Sequence, residues 1–188
     1  MKKISSITRV LFTLLFFVLF ASNAQQNNAL ELVSNSGKSL NIKFSVPSLS
    51  FNEVETPNGL MSIPVLENGS PLLEKGAPDL QKFACSYIIP EGENPKVEII
   101  NSTYKDYKVE VAPSKGNLFR NVIPSEISYV FGAEYEKDAF FPKTLFEAQT
   151  PHIVRDFNAQ ALWIYPMQYN PITKLLRVYS SIELEISF

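Results

Sequence analysis

The sequence predicts an all-β domain, an antiparallel β-sandwich of jelly-roll-like form, and three observations lead to it. About eight to ten short segments, at roughly 10–15-residue intervals, show the alternation or the apolar runs of β-strands. No stretch has the apolar spacing of a long helix. Proline (13 residues) outnumbers glycine (7 residues), which favours short strands with stiff connections over a helical bundle.

The first half of the chain begins with a clear strand pattern. Residues 39–46 alternate apolar and polar side chains, which is typical of a half-buried strand. Residues 49–54 and 60–65 follow as two strands, joined by a Thr-Pro-Asn-Gly turn over residues 56–59. Residues 82–89 are apolar on both faces, so we expect a central strand there.

The second half continues with short strands around one irregular region. An isolated helical turn is expected over residues 133–138, and Pro171 is expected at the corner of a hairpin turn over residues 169–174. The remaining predicted strands cover residues 96–102, 107–111, 153–157, 161–165, 175–179 and 182–186.

The N-terminus has the pattern of a secretory signal peptide over residues 1–24, which leaves residues 25–188 as one domain. A basic start that ends at Arg9 precedes an apolar run over residues 10–20, and Ala24 is a small residue at the expected cleavage position. The apolar run is short for a membrane span. We therefore expect export to the periplasm or the exterior, without stable membrane insertion after cleavage.

The charge balance argues against nucleic acid as a partner. Removal of the leader takes away three basic residues and no acidic one, so 14 basic and 19 acidic residues remain, a net charge of −5. A mildly acidic chain without a basic stripe is a poor nucleic-acid binder. One cysteine, Cys85, excludes an internal disulfide, and with a single histidine it offers no zinc constellation, so we expect no cofactor.

No catalytic site is apparent in the sequence. Cys85 and His152 could in principle form a nucleophile–base pair, but Cys85 lies in an apolar strand, where cysteine usually behaves as a small hydrophobe. The chain also lacks the Gly-x-Ser-x-Gly nucleophile elbow of hydrolases. Trp163 and Tyr165 share a strand face, and they are either core residues or an exposed platform for carbohydrate or a surface partner.

The most distinctive stretch runs from Ala112 to Arg120. It follows a strand pattern and breaks it with Pro113 and Gly116. It offers two long cations, Lys115 and Arg120, on a loop. Such a loop is suited to entering a pocket of another protein, although ordinary solvated loop charge is the alternative.

Several segments together resemble the N-terminal pro-domain of the gingipain-type cysteine peptidases of Bacteroidetes. Their order and spacing match over essentially the whole mature chain. The segments are 74–80 (EKGAPDL), 96–102 (KVEIINS), 112–116 (APSKG), 135–142 (YEKDAFFP), 155–156 (RD) and 168–179 (QYNPITKLLRVY).

This resemblance implies a β-sandwich that keeps a peptidase latent and assists its folding. In arginine-specific members an arginine just after the Ala-Pro-Ser-Lys-Gly segment enters the S1 pocket of the peptidase, and here that position is Arg120. In lysine-specific members a lysine does this, so Lys115 is the alternative. The implied inhibiting loop comprises Ala112, Pro113, Ser114, Lys115, Gly116 and Arg120. Glu126, Tyr129 and Phe131 are further candidate contacts because they lie close to this loop in the sequence, not because the resemblance implies them.

The implied partner is a gingipain-type catalytic domain, attached in cis or bound in trans. In the family a caspase-like domain that bears the catalytic His and Cys normally follows the pro-domain, whereas this sequence ends at Phe188. It is accordingly either a piece of a longer precursor or a free-standing inhibitor or chaperone. In both cases we expect no peptidase activity from the chain itself.

Overall fold

The structure, a computed structural model, describes residues 29–46 and 48–188, and the predicted signal peptide lies outside them. Within these residues the chain forms twelve strands and two short 3-10 helices, Pro124–Glu126 and Ala133–Glu136. The strands are β1 (Leu30–Asn35), β2 (Ser39–Ser45), β3 (Leu49–Thr56), β4 (Gly59–Leu66), β5 (Ser70–Pro71), β6 (Gln81–Ile88), β7 (Lys96–Lys108), β8 (Phe146–Ala148), β9 (His152–Val154), β10 (Phe157–Ile164), β11 (Met167–Asn170) and β12 (Leu175–Ser187).

The first sheet is built around β12, a 13-residue strand that is paired on both edges. β7 runs antiparallel along one edge of β12 for its whole length, while β2 and β11 share the other edge. β1 pairs with β2 and closes that side. Ile182, Leu184 and Ile186 of β12 are fully buried and alternate with Glu183 and Glu185. This alternation covers one face of the sheet and leaves the other to solvent.

The second sheet is built around β10 in the same way. β6 pairs along one edge of β10, and the short strands β8 and β9 share the other edge. β5 adds two residues beside β6. Leu162 and Ile164 of β10 are fully buried and face the first sheet, together with Phe83 of β6.

The core lies between these two sheets. The rings of Phe44 and Phe83, one from each sheet, have centroids 5.0 Å apart. The buried side chains of both sheets form one hydrophobic cluster. An all-β antiparallel sandwich is therefore confirmed. Among the described residues no helix is long and apolar enough to cross a membrane.

A separate hairpin of β3 and β4 supports the irregular region. Its turn pairs Thr56 with Gly59, as the sequence predicted. From β4, Ser62 donates its backbone N–H to Glu110 O at 2.8 Å and accepts the N–H of Ala112 at 2.9 Å. The segment that leaves β7 is thereby fixed to the hairpin before it enters the loop.

Four of the predicted strands are merged into two in the structure. Residues 96–102 and 107–111 were expected to form separate strands, but β7 runs without a break from Lys96 to Lys108, and residues 109–111 follow it outside the strand. The residues in between do not alternate because β7 is exposed on both faces along most of its length. Asp106 instead pairs with Arg177 across the sheet. On β12 a bulge at Ser180 joins the two expected C-terminal strands into one.

Two other expectations were wrong in detail. Residues 153–157 do not form a strand, because Arg155 has φ of 55° and the chain reverses there between β9 and β10. β6 is not covered on both faces, since Ala84, Ser86 and Ile88 point to solvent. The short strands β1, β5, β8 and β11 were not predicted, because their alternation patterns are too weak. The helical turn expected near residue 135 is present as the second 3-10 helix.

Candidate functional site

The candidate loop has a buried base, which we define as residues 112–114. Ala112 is 0% exposed and Ser114 is 3% exposed. Ala112 O accepts the backbone N–H of Asp79 at 2.9 Å, and Ser114 donates its N–H to Ala77 O at 2.7 Å. With β4 on one side and the Ala77–Asp79 backbone on the other, the base is held from both edges.

Gly116 turns the chain outward from this base. Its φ of 82° lies in the left-handed region that favours glycine. A Cβ at Gly116 would lie 2.8 Å from Cβ of Lys75, which is closer than side chains pack. The hydroxyl of Ser114 accepts the Gly116 N–H at 3.2 Å and supports the bend. Glycine is therefore required here on both conformational and steric grounds.

Lys115 is engaged within its own chain. Its Nζ donates to Pro124 O at 2.7 Å and lies 4.2 Å from the ring centroid of Tyr129. A carbonyl and an aromatic face are both favourable partners for an ammonium group. The lysine thus braces the two limbs of the loop against each other.

Arg120 lies at the loop tip, which we define as residues 117–122. Val122 donates its backbone N–H to Phe119 O at 3.0 Å, so Arg120 and Asn121 occupy the corners of a β-turn. Arg120 is exposed, and Phe119 beside it is 81% exposed. The tip presents a cation and an aromatic ring on a backbone with a defined turn.

Beneath the loop lies a cluster of aromatic side chains with one acid, Asp79. Tyr135 donates its hydroxyl to Val111 O at 2.8 Å and packs edge-on against Phe131, with ring centroids 4.8 Å apart. Burial raises the pKa of Asp79 above its ordinary value, and burial also raises the pKa of Tyr129 and Tyr135, with Asp79 contributing to both. The cluster is a packed, poorly solvated support for the loop.

The candidate contacts near the loop have different environments. Glu126 is exposed on the first 3-10 helix, where a partner could reach it. Tyr129 lies under the Lys115 ammonium, and Phe131 packs on Tyr135. The two aromatic residues therefore have a structural role in this chain, since they fix the loop from below.

The other two arginines in the described residues are placed differently from Arg120. Arg177 makes a two-point contact with Asp106, at 2.9 and 3.0 Å, and lies against the rings of Tyr104 and Phe140. Its hydrogen bonds lower the pKa of Asp106. Arg155 is exposed, but it occupies the two-residue turn between β9 and β10. Of the three, Arg120 alone is exposed on an irregular loop.

Cys85 and His152 do not meet. Cys85 pairs with the buried Leu162, so its side chain shares the inner face of the sheet. His152 pairs with Ala159, an odd number of residues from Leu162, and therefore lies on the outer face. Burial raises the pKa of the Cys85 thiol, which disfavours the reactive thiolate. This geometry does not make a nucleophile–base pair.

Trp163 and Tyr165 do not present open aromatic faces. Lys82 Nζ lies 3.0 Å from the centroid of the Trp163 ring. Tyr165 is 5% exposed and donates its hydroxyl to Glu147 at 2.7 Å, a bond that lowers the pKa of Glu147. A sugar would have to displace the lysine to stack on the indole. The geometry thus gives the carbohydrate-platform alternative little support.

Sequence reasoning missed two parts of this site. It did not single out Phe119, because an isolated apolar residue in a loop has no periodicity to show whether it points inward or outward. It also did not connect Asp79 with Tyr135, which are far apart in sequence but close enough in the fold for Asp79 to raise the pKa of the tyrosine. The apolar Leu-Phe pair next to a cation, in a stretch broken by proline and glycine, was the available signal.

The described residues thus form a β-sandwich domain that presents a braced loop with an exposed arginine. Residues 22–188 of the chain match the family described as Propeptide_C25. Gingipain R2 of Porphyromonas gingivalis is 35% identical over 178 residues, which are 93% of this chain and 24% of that protein. Gingipain R1 of the same organism is 34% identical over 147 residues, 78% of this chain and 15% of that protein.

Two solved structures share the fold. One is the complex of Porphyromonas gingivalis RgpB pro- and mature domains, which has a TM-score of 0.82 at 35% identity and covers 86% of this chain and 85% of that chain. The other concerns the zymogenic latency of gingipain K from the same organism, with a TM-score of 0.71 at 24% identity, over 85% of this chain and 91% of that chain. At its lower identity the second shows the fold alone.

The chain belongs to the Propeptide_C25 family. It is a gingipain-type pro-domain. It spans less than a quarter of the length of the gingipains R1 and R2 that it matches.

Proposed function

We propose that this chain is the N-terminal pro-domain of a secreted gingipain-type cysteine peptidase and keeps that peptidase latent by inserting Arg120 into its S1 pocket. It also assists the folding of the peptidase. One observation carries the choice of residue: the tip exposes the Arg120 side chain while the base and the turn hold its backbone. The RgpB complex of pro- and mature domains supports a pairing of this kind.

The physics of the pocket favours arginine at this position. A guanidinium offers a planar set of donors that meets a carboxylate with paired, charge-assisted hydrogen bonds. The loop base is already fixed, so little conformational entropy is lost when the tip binds. Truncating such an anchor typically costs about 2–5 kcal/mol, part of which is the penalty of leaving the charge of the pocket unpaired.

The turn at the tip supports inhibition over rapid cleavage. The hydrogen bond from Val122 N to Phe119 O closes the chain across the Arg120–Asn121 peptide bond. A bond in a closed turn is not presented in the extended form in which the reacting atoms align, and misalignment of about 1 Å slows such chemistry strongly. The arginine can then occupy the pocket while its peptide bond survives.

Lys115 is the weaker anchor on structural grounds. To enter a pocket it would have to leave the Pro124 carbonyl and the Tyr129 ring, and the two limbs of the loop would lose their brace. Arg120 reaches a partner without breaking any of these contacts.

The test is inhibition of an arginine-specific gingipain-type peptidase by residues 25–188, compared with the Arg120→Ala and Lys115→Ala variants. Arg120→Ala is expected to weaken inhibition by roughly 30-fold or more, and Lys115→Ala by much less. Each variant should keep the thermal unfolding midpoint of the parent within a few degrees.

Three results would count against the proposal in different ways. Equal inhibition by the parent and Arg120→Ala would move the anchor to another residue. A loss of inhibition seen only with Lys115→Ala would identify Lys115 as the anchor. No inhibition by the parent, even of a peptidase from the same organism, would overturn the latency role itself.

A further inference from the structure

Phe119 is the most exposed large hydrophobic side chain among those described, at 81%. A single exposed apolar residue is common on protein surfaces and means little by itself. Phe119, however, directly precedes the exposed Arg120 on the loop tip. The exposure of Phe119 matters if its backbone is held in one conformation, so that the ring always points outward.

The backbone around Phe119 is fixed on both sides. Its carbonyl accepts the N–H of Val122 and closes the turn at the tip. The preceding Leu118 is half-buried, whereas Phe119 is exposed. The ring is therefore held away from the domain by a defined backbone.

We propose that Phe119 is a second anchor, which fills an apolar subsite of the peptidase adjacent to its S1 pocket. The inference rests on the proposed function of Arg120. Phe119 is bonded to Arg120 on the acyl side of the peptide bond that the turn closes. When Arg120 occupies S1, Phe119 therefore lies over the surface of the cleft that adjoins S1 on that side.

An aromatic ring suits this role physically. Phenylalanine buries a large apolar area and loses the freedom of only two side-chain torsions on binding. Anchors of this kind, surrounded by contacts that exclude water, dominate the affinity of many interfaces. Covering the ring would also shield the neighbouring guanidinium from solvent, which strengthens its charge-assisted bonds.

The test compares Phe119→Ala, Phe119→Leu and Arg120→Ala in residues 25–188 as inhibitors of an arginine-specific gingipain-type peptidase. Ile153→Ala is the matched control, because Ile153 is 79% exposed on β9, outside the loop. Phe119→Ala is expected to weaken inhibition roughly 10- to 100-fold and Phe119→Leu by less, while Ile153→Ala leaves it unchanged. Thermal unfolding should be the same in all of them, since neither site is buried.

The outcomes separate this inference from the proposed function. If Arg120→Ala weakens inhibition and Phe119→Ala does not, the second anchor is overturned and the first stands. If Phe119→Ala and Ile153→Ala weaken inhibition equally, the effect is a general one of exposed apolar surface and the inference fails. If the Arg120→Ala variant inhibits like the parent, Arg120 is not the S1 anchor, and the inference about Phe119, which rests on that anchor, fails with it.

A second measurement addresses the subsite directly on the peptidase. Short peptide substrates with arginine at the cleavage position and either phenylalanine or glycine before it are compared by kcat/KM. A preference of about 10-fold or more for phenylalanine is expected. Equal values would contradict an apolar subsite next to S1.

Discussion

Two cations lie five residues apart on one loop, and their surroundings give them different roles. Lys115 donates to Pro124 O and covers the Tyr129 ring, whereas Arg120 is exposed at the tip. In the sequence the two residues look alike as candidates. They differ because the part of the loop after the tip places the Pro124 carbonyl and the Tyr129 ring beside Lys115.

Asp79 gives a residue-level prediction of how the stability of the fold changes with pH. Burial raises its pKa above the ordinary value of 3.8, so the folded state keeps the proton longer than the unfolded chain. The contribution of this carboxyl to stability is full below the ordinary value and is lost as pH rises through the raised one. Asp79→Asn cannot ionise, so its unfolding midpoint should exceed that of the parent at neutral pH.

Thermal unfolding across pH 3 to 8 checks this. The increase in unfolding midpoint caused by Asp79→Asn should be near zero at the acidic end of this range and should rise to a plateau towards neutral pH. Asp156→Asn, in the exposed turn between β9 and β10, serves as the control for replacing a carboxyl by an amide. If Asp79→Asn is less stable than the parent at neutral pH, a favourable interaction of the carboxylate outweighs its burial.

At the scale of the element, the loop is an extension of the sandwich. Its base pairs with β4 on one side and with the Ala77–Asp79 backbone on the other, and the Tyr135 hydroxyl holds Val111 from below. The bend at Gly116 then directs the tip outward. The position of Arg120 therefore depends on residues outside the tip.

Gly116→Ala tests this dependence. Left-handed backbone costs a non-glycine residue about 1–2 kcal/mol, and the new methyl group would also press on Lys75. We expect a lower unfolding midpoint and weaker inhibition of the peptidase together. Inhibition constants and thermal unfolding of the same preparation check both.

Gly37→Ala is the matched control for that substitution. Gly37 has φ of 77° in the β1–β2 connection, and no atom lies within 4 Å of the position that an added methyl group would take. It therefore has the same backbone cost without the clash. Gly37→Ala should lower stability while leaving inhibition unchanged. If both variants inhibit like the parent, the Gly116 bend does not direct the tip.

At the scale of the whole molecule, the sandwich is held by its core without a disulfide, since Cys85 is free. Leu184 is fully buried in the C-terminal half of β12, where it pairs with β2 on one edge and β7 on the other. Leu184→Ala should lower the free energy of unfolding by about 2–5 kcal/mol. Ile172→Ala, at a residue 54% exposed in the turn before β12, should change it by less than about 0.5 kcal/mol.

Urea unfolding at one pH measures both changes. A loss below about 1 kcal/mol for Leu184→Ala would mean that the core rearranges to fill the space, and that β12 is less central to stability than its pairing implies.

The sequence revealed the sandwich because its buried strands alternate. β2 and the end of β12 bury every second side chain, and that pattern is local. The local pattern gave a wrong prediction at Arg155, where a non-glycine residue adopts a left-handed conformation. It was also wrong in the polar middle of β7, which is a strand because it pairs with β12. The exposure of Phe119 and the bracing of Lys115 depend on distant contacts, so no local pattern could show them.

The central claim, that Arg120 enters the S1 pocket, is tested most directly by replacing its guanidinium with the ammonium group of a lysine. Residues 25–188 with Arg120→Lys are compared with the parent as inhibitors of an arginine-specific and a lysine-specific peptidase of this type. The preference for the arginine-specific enzyme should fall by about 10-fold or more, because an ammonium lacks the paired donors of a guanidinium. Lys115→Arg, at the braced position, should leave the preference unchanged. A preference that does not move with Arg120→Lys would contradict the account.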